Sequence, residues 1–145
     1  MTSKEEKQLK RKGSLLTAIA VLSLVVLTGC GGPELSDKFD QAKVESSAKE
    51  VIQLVNAKDS EGLLAMSTST MKEELTDATL EQVYADIDEA GLFKGVKDIR
   101  VAGYTDKKSK TEYAVVVAKA EYENQTLTYT ISFTTDMELA GMYYK

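Results

Sequence analysis

Cys30 is the only cysteine in this chain of 145 residues, and histidine is absent. The lack of histidine removes the usual general base, the usual zinc ligand and every Ser–His or Cys–His nucleophile pair. A single cysteine cannot build a disulfide framework, so a folded domain has to be stabilised by its core alone. The position of Cys30 and the remaining polar groups therefore decide what chemistry the chain can offer.

Two other clusters of polar residues could do chemistry. Carboxylates cluster at Asp86, Asp88 and Glu89; on a helix, Asp86 and Glu89 share a face away from Ile87, which indicates solvent. Hard cations need about six oxygen ligands, drawn from several segments. The Ser67–Thr70 run has neither a base nor a glycine-rich phosphate cradle beside it, and helix capping and turns explain it. The sequence therefore predicts no metal, no cofactor and no catalytic residue.

Tyrosines are the most suggestive polar residues after Cys30. All seven follow residue 83 and fall in the last predicted helix and the predicted sheet. One hypothesis is a ligand cavity between helices and sheet, with hydroxyl groups as polar anchors; its candidate lining residues are Tyr84, Tyr113, Tyr129 and Tyr143. The alternative is ordinary strand packing with the hydroxyls at the rim, since tyrosine suits half-buried sheets.

The first 29 residues have the parts of an export signal. Basic residues end at Lys12, and an apolar stretch follows from Leu15 to Leu27, shorter than the ~20 residues of a transmembrane helix. The stretch ends in Leu27-Thr28-Gly29-Cys30, which resembles the lipobox of bacterial lipoproteins. That resemblance implies cleavage between Gly29 and Cys30 and a diacylglyceryl thioether on the Cys30 thiol. A plain secretory signal or an uncleaved anchor is the alternative.

The lipobox implies a location and a domain organisation. We expect a signal peptide at residues 1–29, a lipidated tether at 30–37 and one domain at 38–145. The lipid on Cys30 would hold the domain on the extracytoplasmic face of the cell membrane, in a Gram-positive bacterium, because two acyl chains give stable attachment.

The distribution of charge along the chain limits the classes of molecule that the domain is expected to bind. Of the 18 basic and 23 acidic residues, five and two respectively lie before Cys30, which leaves a net charge of −8 for the rest. Such a surface repels phosphate backbones, so nucleic acid is not an expected partner. Anionic lipid headgroups would be repelled as well, and membrane attachment then depends on the lipid.

The elements that must position these groups are helices first and strands second. The first helix is predicted to begin at the N-cap Asp40, where Phe39 can pack on Val44, and to end near residues 56–58. Asp59 is a second N-cap, and capping boxes start at Thr70 and Thr79. Gly91 is predicted to end the last helix. The predicted strands are 96–104, 111–123, 126–134 and 139–144. In the third strand, Leu127, Tyr129, Ile131 and Phe133 alternate with hydroxyl residues, which predicts one buried face and one face on water or an oligomeric partner.

This order predicts an α+β domain with helices packed on one face of a four-stranded antiparallel sheet. Several runs resemble a domain family of unknown function that occurs in Firmicute lipoproteins and ahead of some α/β-hydrolase domains; they are residues 39–44, 56–59, 92–94, 111–117 and 120–123. The resemblance spans about residues 38–145. It implies the curved-sheet cone of cystatin-like and nuclear transport factor 2-like domains, and it carries no catalytic residues.

Three functions fit these observations. The favoured one is a non-catalytic binding or protein-interaction module at the cell envelope, taking a small ligand or an envelope protein. An enzyme of the ketosteroid-isomerase type would need a carboxyl group inside the cavity with a raised pKa. An accessory or regulatory domain for an envelope hydrolase is the third, suggested by the family's hydrolase fusions.

Overall fold

A computed structural model describes residues 32–145, so the predicted signal peptide and Cys30 lie outside the described residues. Four helices come first: α1 (Gln41–Asn56), α2 (Ser60–Ala65), α3 (Ser69–Glu74) and α4 (Asp77–Ala90). Four strands follow: β1 (Phe93–Thr105), β2 (Glu112–Tyr122), β3 (Thr126–Thr134) and β4 (Leu139–Tyr144). They form one antiparallel sheet in the order β1-β2-β3-β4. The predicted α+β class is confirmed.

Helix α1 begins as its sequence predicts. The Asp40 carboxylate accepts a hydrogen bond from the backbone N–H of Lys43, and Phe39 ahead of it is buried. The apolar positions at helical spacing form one buried stripe that packs on the sheet: Val44, Ala48, Val51, Ile52 and Val55. Burying that stripe is what stabilises the helix, since most helical stability in proteins comes from tertiary packing.

Two helix starts differ from the prediction. The N-cap of α3 is Thr68 rather than Thr70, and the N-cap of α4 is Thr76 rather than Thr79. In α4, the Thr76 hydroxyl accepts from the N–H of Thr79 and also lies 3.0 Å from the Thr79 hydroxyl. Starting at Thr76 adds most of a turn, and the longer helix then buries Leu80 early in its length.

The sheet has one face against the helices and one face outside. In β3, Leu127, Tyr129, Ile131 and Phe133 all belong to the helix–sheet core, as the alternation predicts. Strand β1 is longer than predicted and begins at Phe93 instead of Val96. Its pairing with β2 shifts register twice, and Asp98 adopts the left-handed region at the second shift, with φ 51°. The first shift, between Phe93 and Gly95, interrupts the simple alternation at the start of the strand, so the sequence pattern did not include those first residues in β1.

Ser132, which was predicted to face water or an oligomeric partner, is not open to solvent. Its side chain points to the outer face of the sheet but is only 3% exposed. It lies between its cross-strand neighbours Val115 and Gly141, and a methyl group at Gly141 would approach the Ser132 hydroxyl to 2.7 Å. The outer face is therefore closely packed along its centre, although no helix among the described elements covers it. None of the helices within residues 32–145 is long and apolar enough to cross a membrane.

Candidate functional site

Two tyrosine hydroxyl groups meet inside the core. Tyr122 ends β2 and Tyr129 lies in the middle of β3; their hydroxyl oxygens are 3.0 Å apart, and the side chains are 4% and 0% exposed. Burial, followed by the hydrogen bond with Tyr122, holds the pKa of the Tyr129 hydroxyl far above its ordinary value. Each hydroxyl thus satisfies the other, as a buried polar group requires.

The other core-side tyrosines are also engaged. The Tyr84 hydroxyl lies 2.8 Å from the Ser60 hydroxyl, which joins α4 to α2. The Tyr144 hydroxyl donates to Oδ2 of Asp86 at 2.7 Å, joining β4 to α4, and burial and this bond raise the pKa of Tyr144. The sequence indicated that Asp86 lies on a solvated face; in the structure it instead bonds to a half-buried tyrosine. Its Oδ1 accepts a hydrogen bond from Gln82, so both carboxylate oxygens are occupied.

The four tyrosines proposed to line a cavity do not surround one space. Tyr84 and Tyr129 lie on the helix side of the sheet. Tyr113 and Tyr143 lie on the outer face, because they alternate with the core residues Ala114 and Met142. The sheet separates the two pairs. Alternation along β2 and β4 assigns Tyr113 and Tyr143 to the outer face only once the strand registers are known.

The outer face carries an aromatic and β-branched cluster. The rings of Tyr104 and Tyr113 lie 6.2 Å apart across β1 and β2. Beside them, Val115 is 2% exposed although it does not belong to the helix–sheet core. Tyr143, at the β4 edge, is 45% exposed and is one of two large hydrophobic residues of the described chain left open to solvent. We call this set, with Ala102 and Val117, the outer-face cluster.

A second feature lies where the tether meets the sheet. The N–H of Gly103 donates to the carbonyl oxygen of Pro33 at 2.8 Å, and a side chain at Gly103 would collide with the carbonyl oxygen of Glu34. Further along, Lys38 forms an ion pair with Glu112; this bond raises the pKa of Lys38 and lowers that of Glu112. Through these contacts the tether lies against the sheet, joined to β1 at Pro33 and to β2 at Lys38, the residue that follows it. An open depression of about 460 Å³ lies between them.

The described residues offer little to a metal ion. No group of three or more cysteine, aspartate and glutamate side chains converges within residues 32–145. Asp106, in the β1–β2 loop, accepts hydrogen bonds from Ser109 and Lys108, and these lower its pKa. Its charge is used to shape the loop.

Comparison with known proteins extends the fold but not the chemistry. A protein from Ruminococcus gnavus ATCC 29149, whose structure was determined by NMR, is similar with a TM-score of 0.68, over 79% of this chain and 99% of that chain. The two are 23% identical, so the likeness concerns the fold alone. No curated protein matches the sequence. The family described as "Protein of unknown function (DUF3887)" matches residues 48–142, and the chain belongs to this family.

Proposed function

We propose that this chain is a lipid-anchored, non-catalytic interaction module on the extracytoplasmic face of the cell membrane, and that it binds an envelope protein through the outer-face cluster. The observation that carries the proposal is the sheet face itself, on which Tyr104, Tyr113 and Tyr143 lie outside the helix–sheet core. Tyr143 is 45% exposed on this face, and exposed aromatic residues are typical of protein interfaces.

Hydrogen bonding among the polar groups of the core supports a binding role over catalysis. An enzyme of the ketosteroid-isomerase type would need a free carboxylate that faces a cavity. Asp86 is the carboxylate that reaches the core-side tyrosines, and both of its oxygens already accept hydrogen bonds. The hydroxyls of Tyr122 and Tyr129 likewise bond to each other rather than pointing at an empty space.

The sequence before the described domain supports the anchor. Lys10, Arg11 and Lys12 precede an apolar stretch that ends in Leu27-Thr28-Gly29-Cys30, the order of an export signal followed by a lipobox. The family resemblance seen in the sequence also implies a particular fold within the α+β class, the cystatin-like cone that also occurs in nuclear transport factor 2-like domains.

The anchor is tested by Cys30→Ser in cells fed a clickable fatty acid. The serine hydroxyl cannot replace the thiol, so the label should be lost and the precursor should keep its signal or be shed without lipid. Glu34→Gln, four residues away, is the matched control and should keep the label. Label that persists on the Cys30→Ser variant contradicts the lipoprotein assignment.

The interaction surface is tested by photo-crosslinking in living cells. A crosslinking amino acid at position 143 should give one discrete adduct, whereas the same group at the exposed Gln53 of α1 should give none. Tyr104→Asp should abolish the adduct by placing a charge in the cluster. Crosslinking that is equal at positions 143 and 53, or unaffected by Tyr104→Asp, contradicts the proposed surface.

A further inference from the structure

Basic residues are concentrated in one part of an otherwise acidic domain. Residues 94–110 contain six basic and two acidic residues, a net charge of +4, although residues 30–145 as a whole carry −8. The rest of residues 30–145, outside 94–110, therefore carries a net charge of −12. The basic residues are Lys94, Lys97, Arg100, Lys107, Lys108 and Lys110, and all six are exposed. They follow β1 and its loop to β2, so the asymmetry in charge is also an asymmetry in space.

Most of these cations are not used within the domain. Lys97 forms an ion pair with Glu121; the other five have no ion pair within residues 32–145. The two acidic residues inside the stretch are already engaged, and of the acidic residues beside it Glu112 pairs with Lys38. Asp98 pairs with Lys119, and Asp106 accepts hydrogen bonds within its own loop.

The same edge carries an exposed apolar side chain. Leu92 immediately precedes β1 and is 74% exposed, the most exposed large hydrophobic residue of the described chain. The exposed Lys94 follows Leu92 by two residues on this edge, and apolar side chains together with cations are found on surfaces that bind the membrane interface.

The tether places this edge close to the lipid. Pro33 is bonded to Gly103 in the middle of the basic stretch, and Cys30 precedes Pro33 by three residues. Even a fully extended chain of three residues spans only about 10 Å. β1 is the outermost strand on its side of the sheet, so an anchor at Cys30 would bring this edge to the bilayer before any other part of the domain.

We propose that the β1 edge, residues 92–110, lies against the membrane, with its basic side chains on the phosphates of anionic lipids and Leu92 at the boundary between headgroups and acyl chains. This rests on the proposed lipid anchor. It refines the expectation that the domain is repelled by anionic lipids: the acidic remainder is repelled, and the basic edge is attracted, so the two effects together orient the domain. The outer-face cluster would then stand beside the membrane, open to a partner.

The experiment uses the full chain, acylated and reconstituted into phosphatidylglycerol vesicles that contain a nickel-chelating lipid. Cys30 is consumed by the lipid, so a nitroxide can be attached to one introduced cysteine. Thr111→Cys places the label beside the basic loop, and Thr70→Cys places it on α3, which packs on β4 at the opposite edge. Both sites are exposed. Relaxation of the label by headgroup nickel should be several-fold stronger at position 111 than at position 70.

The charge contribution is tested with two matched triple variants. Replacing Lys107, Lys108 and Lys110 by glutamine should bring relaxation at position 111 down toward that at position 70. Replacing Lys43, Lys49 and Lys72, three exposed lysines on the helices, should leave the relaxation at position 111 unchanged. In phosphatidylcholine neither variant should change it, because the difference between the two labels should already be small there.

Three results would overturn the proposal or its basis. Equal relaxation at the two positions in acylated protein contradicts the orientation alone. The lysines could instead only prevent β1, an edge strand, from pairing with another chain. In that case the variant at Lys107, Lys108 and Lys110 would self-associate while relaxation at position 111 stayed the same, and this result also contradicts the orientation. Mass spectrometry that finds no acyl group on Cys30 contradicts the anchor and, with it, the orientation.

Discussion

Tyr122 and Tyr129 share a hydrogen bond between hydroxyl oxygens 3.0 Å apart in the core, although they are not cross-strand partners. Tyr129 pairs with Ala118, and on the same face of β2 Ala120 lies between Ala118 and Tyr122. The small side chains leave room for the tyrosines to meet diagonally. This pair joins the centre of the sheet to the end of β2.

Removing one hydroxyl of this pair should cost more than removing both. In Tyr129→Phe, the Tyr122 hydroxyl stays buried without a partner, which costs about 1–3 kcal/mol, whereas replacing both partners by apolar groups can be nearly neutral. We expect the Tyr122→Phe/Tyr129→Phe double variant to be more stable than Tyr129→Phe in urea unfolding. Additive losses would mean that the two hydroxyls do not depend on each other.

Alkaline pH should destabilise the domain through Tyr129 and Tyr144. Both have a pKa raised by burial, and an unfolded tyrosine ionises near pH 10. The folded state then keeps protons that the unfolded state loses, so this contribution is complete below about pH 10 and declines as the pH rises further. Tyrosinate absorbance and circular dichroism, followed together, should show these two groups ionising only as the domain unfolds. A Tyr129→Phe/Tyr144→Phe variant should lose less stability over the same range; an equal loss would assign the effect to other groups.

The two faces of β3 should respond differently to truncation. Ile131 is fully buried, so Ile131→Ala should cost about 2–5 kcal/mol through lost burial and a cavity. Thr130 is half-buried on the outer face, and Thr130→Ala should change stability by no more than about 0.5 kcal/mol if it has no partner there. Denaturant unfolding of both variants tests this. A large loss at Thr130 would indicate that the isolated domain already pairs through its outer face.

The start of α4 can be tested in the same way. Thr76→Ala removes the N-cap hydroxyl and should cost about 1 kcal/mol, while Thr79→Ala keeps the cap and should cost less. The two changes are matched in size and lie three residues apart. A larger loss at Thr79 would restore the later start that the sequence suggested.

The successes and failures of sequence reasoning have physical causes. The alternation in β3 was readable because one face is buried and the other is not, so a slip of one residue would exchange the faces. Helix starts were misplaced because several threonines lie close together, and each can cap; which one does so depends on how Met71 and Leu80 pack on the rest of the core.

Contacts distant in sequence were out of reach. The bond between Pro33 and Gly103 depends on a glycine that reads as any other strand residue until the tether is seen to pass over it. The hydrogen bond between the Tyr122 and Tyr129 hydroxyls depends on the register of β2 and β3. Register was equally hard to predict in β1, where the bulge at Asp98 alters it without leaving a clear pattern in the sequence.

The docked tether also determines how the domain bears a pulling force. A load applied through the N-terminus reaches the bond between Pro33 and Gly103 first, then the ion pair of Lys38 with Glu112, and only afterwards Phe39 and α1. These contacts are loaded one after another, as in peeling, and each is weak by itself. The buried ring of Phe39 is where peeling would stop, so the segment before it can lengthen under tension while the helix–sheet core stays folded.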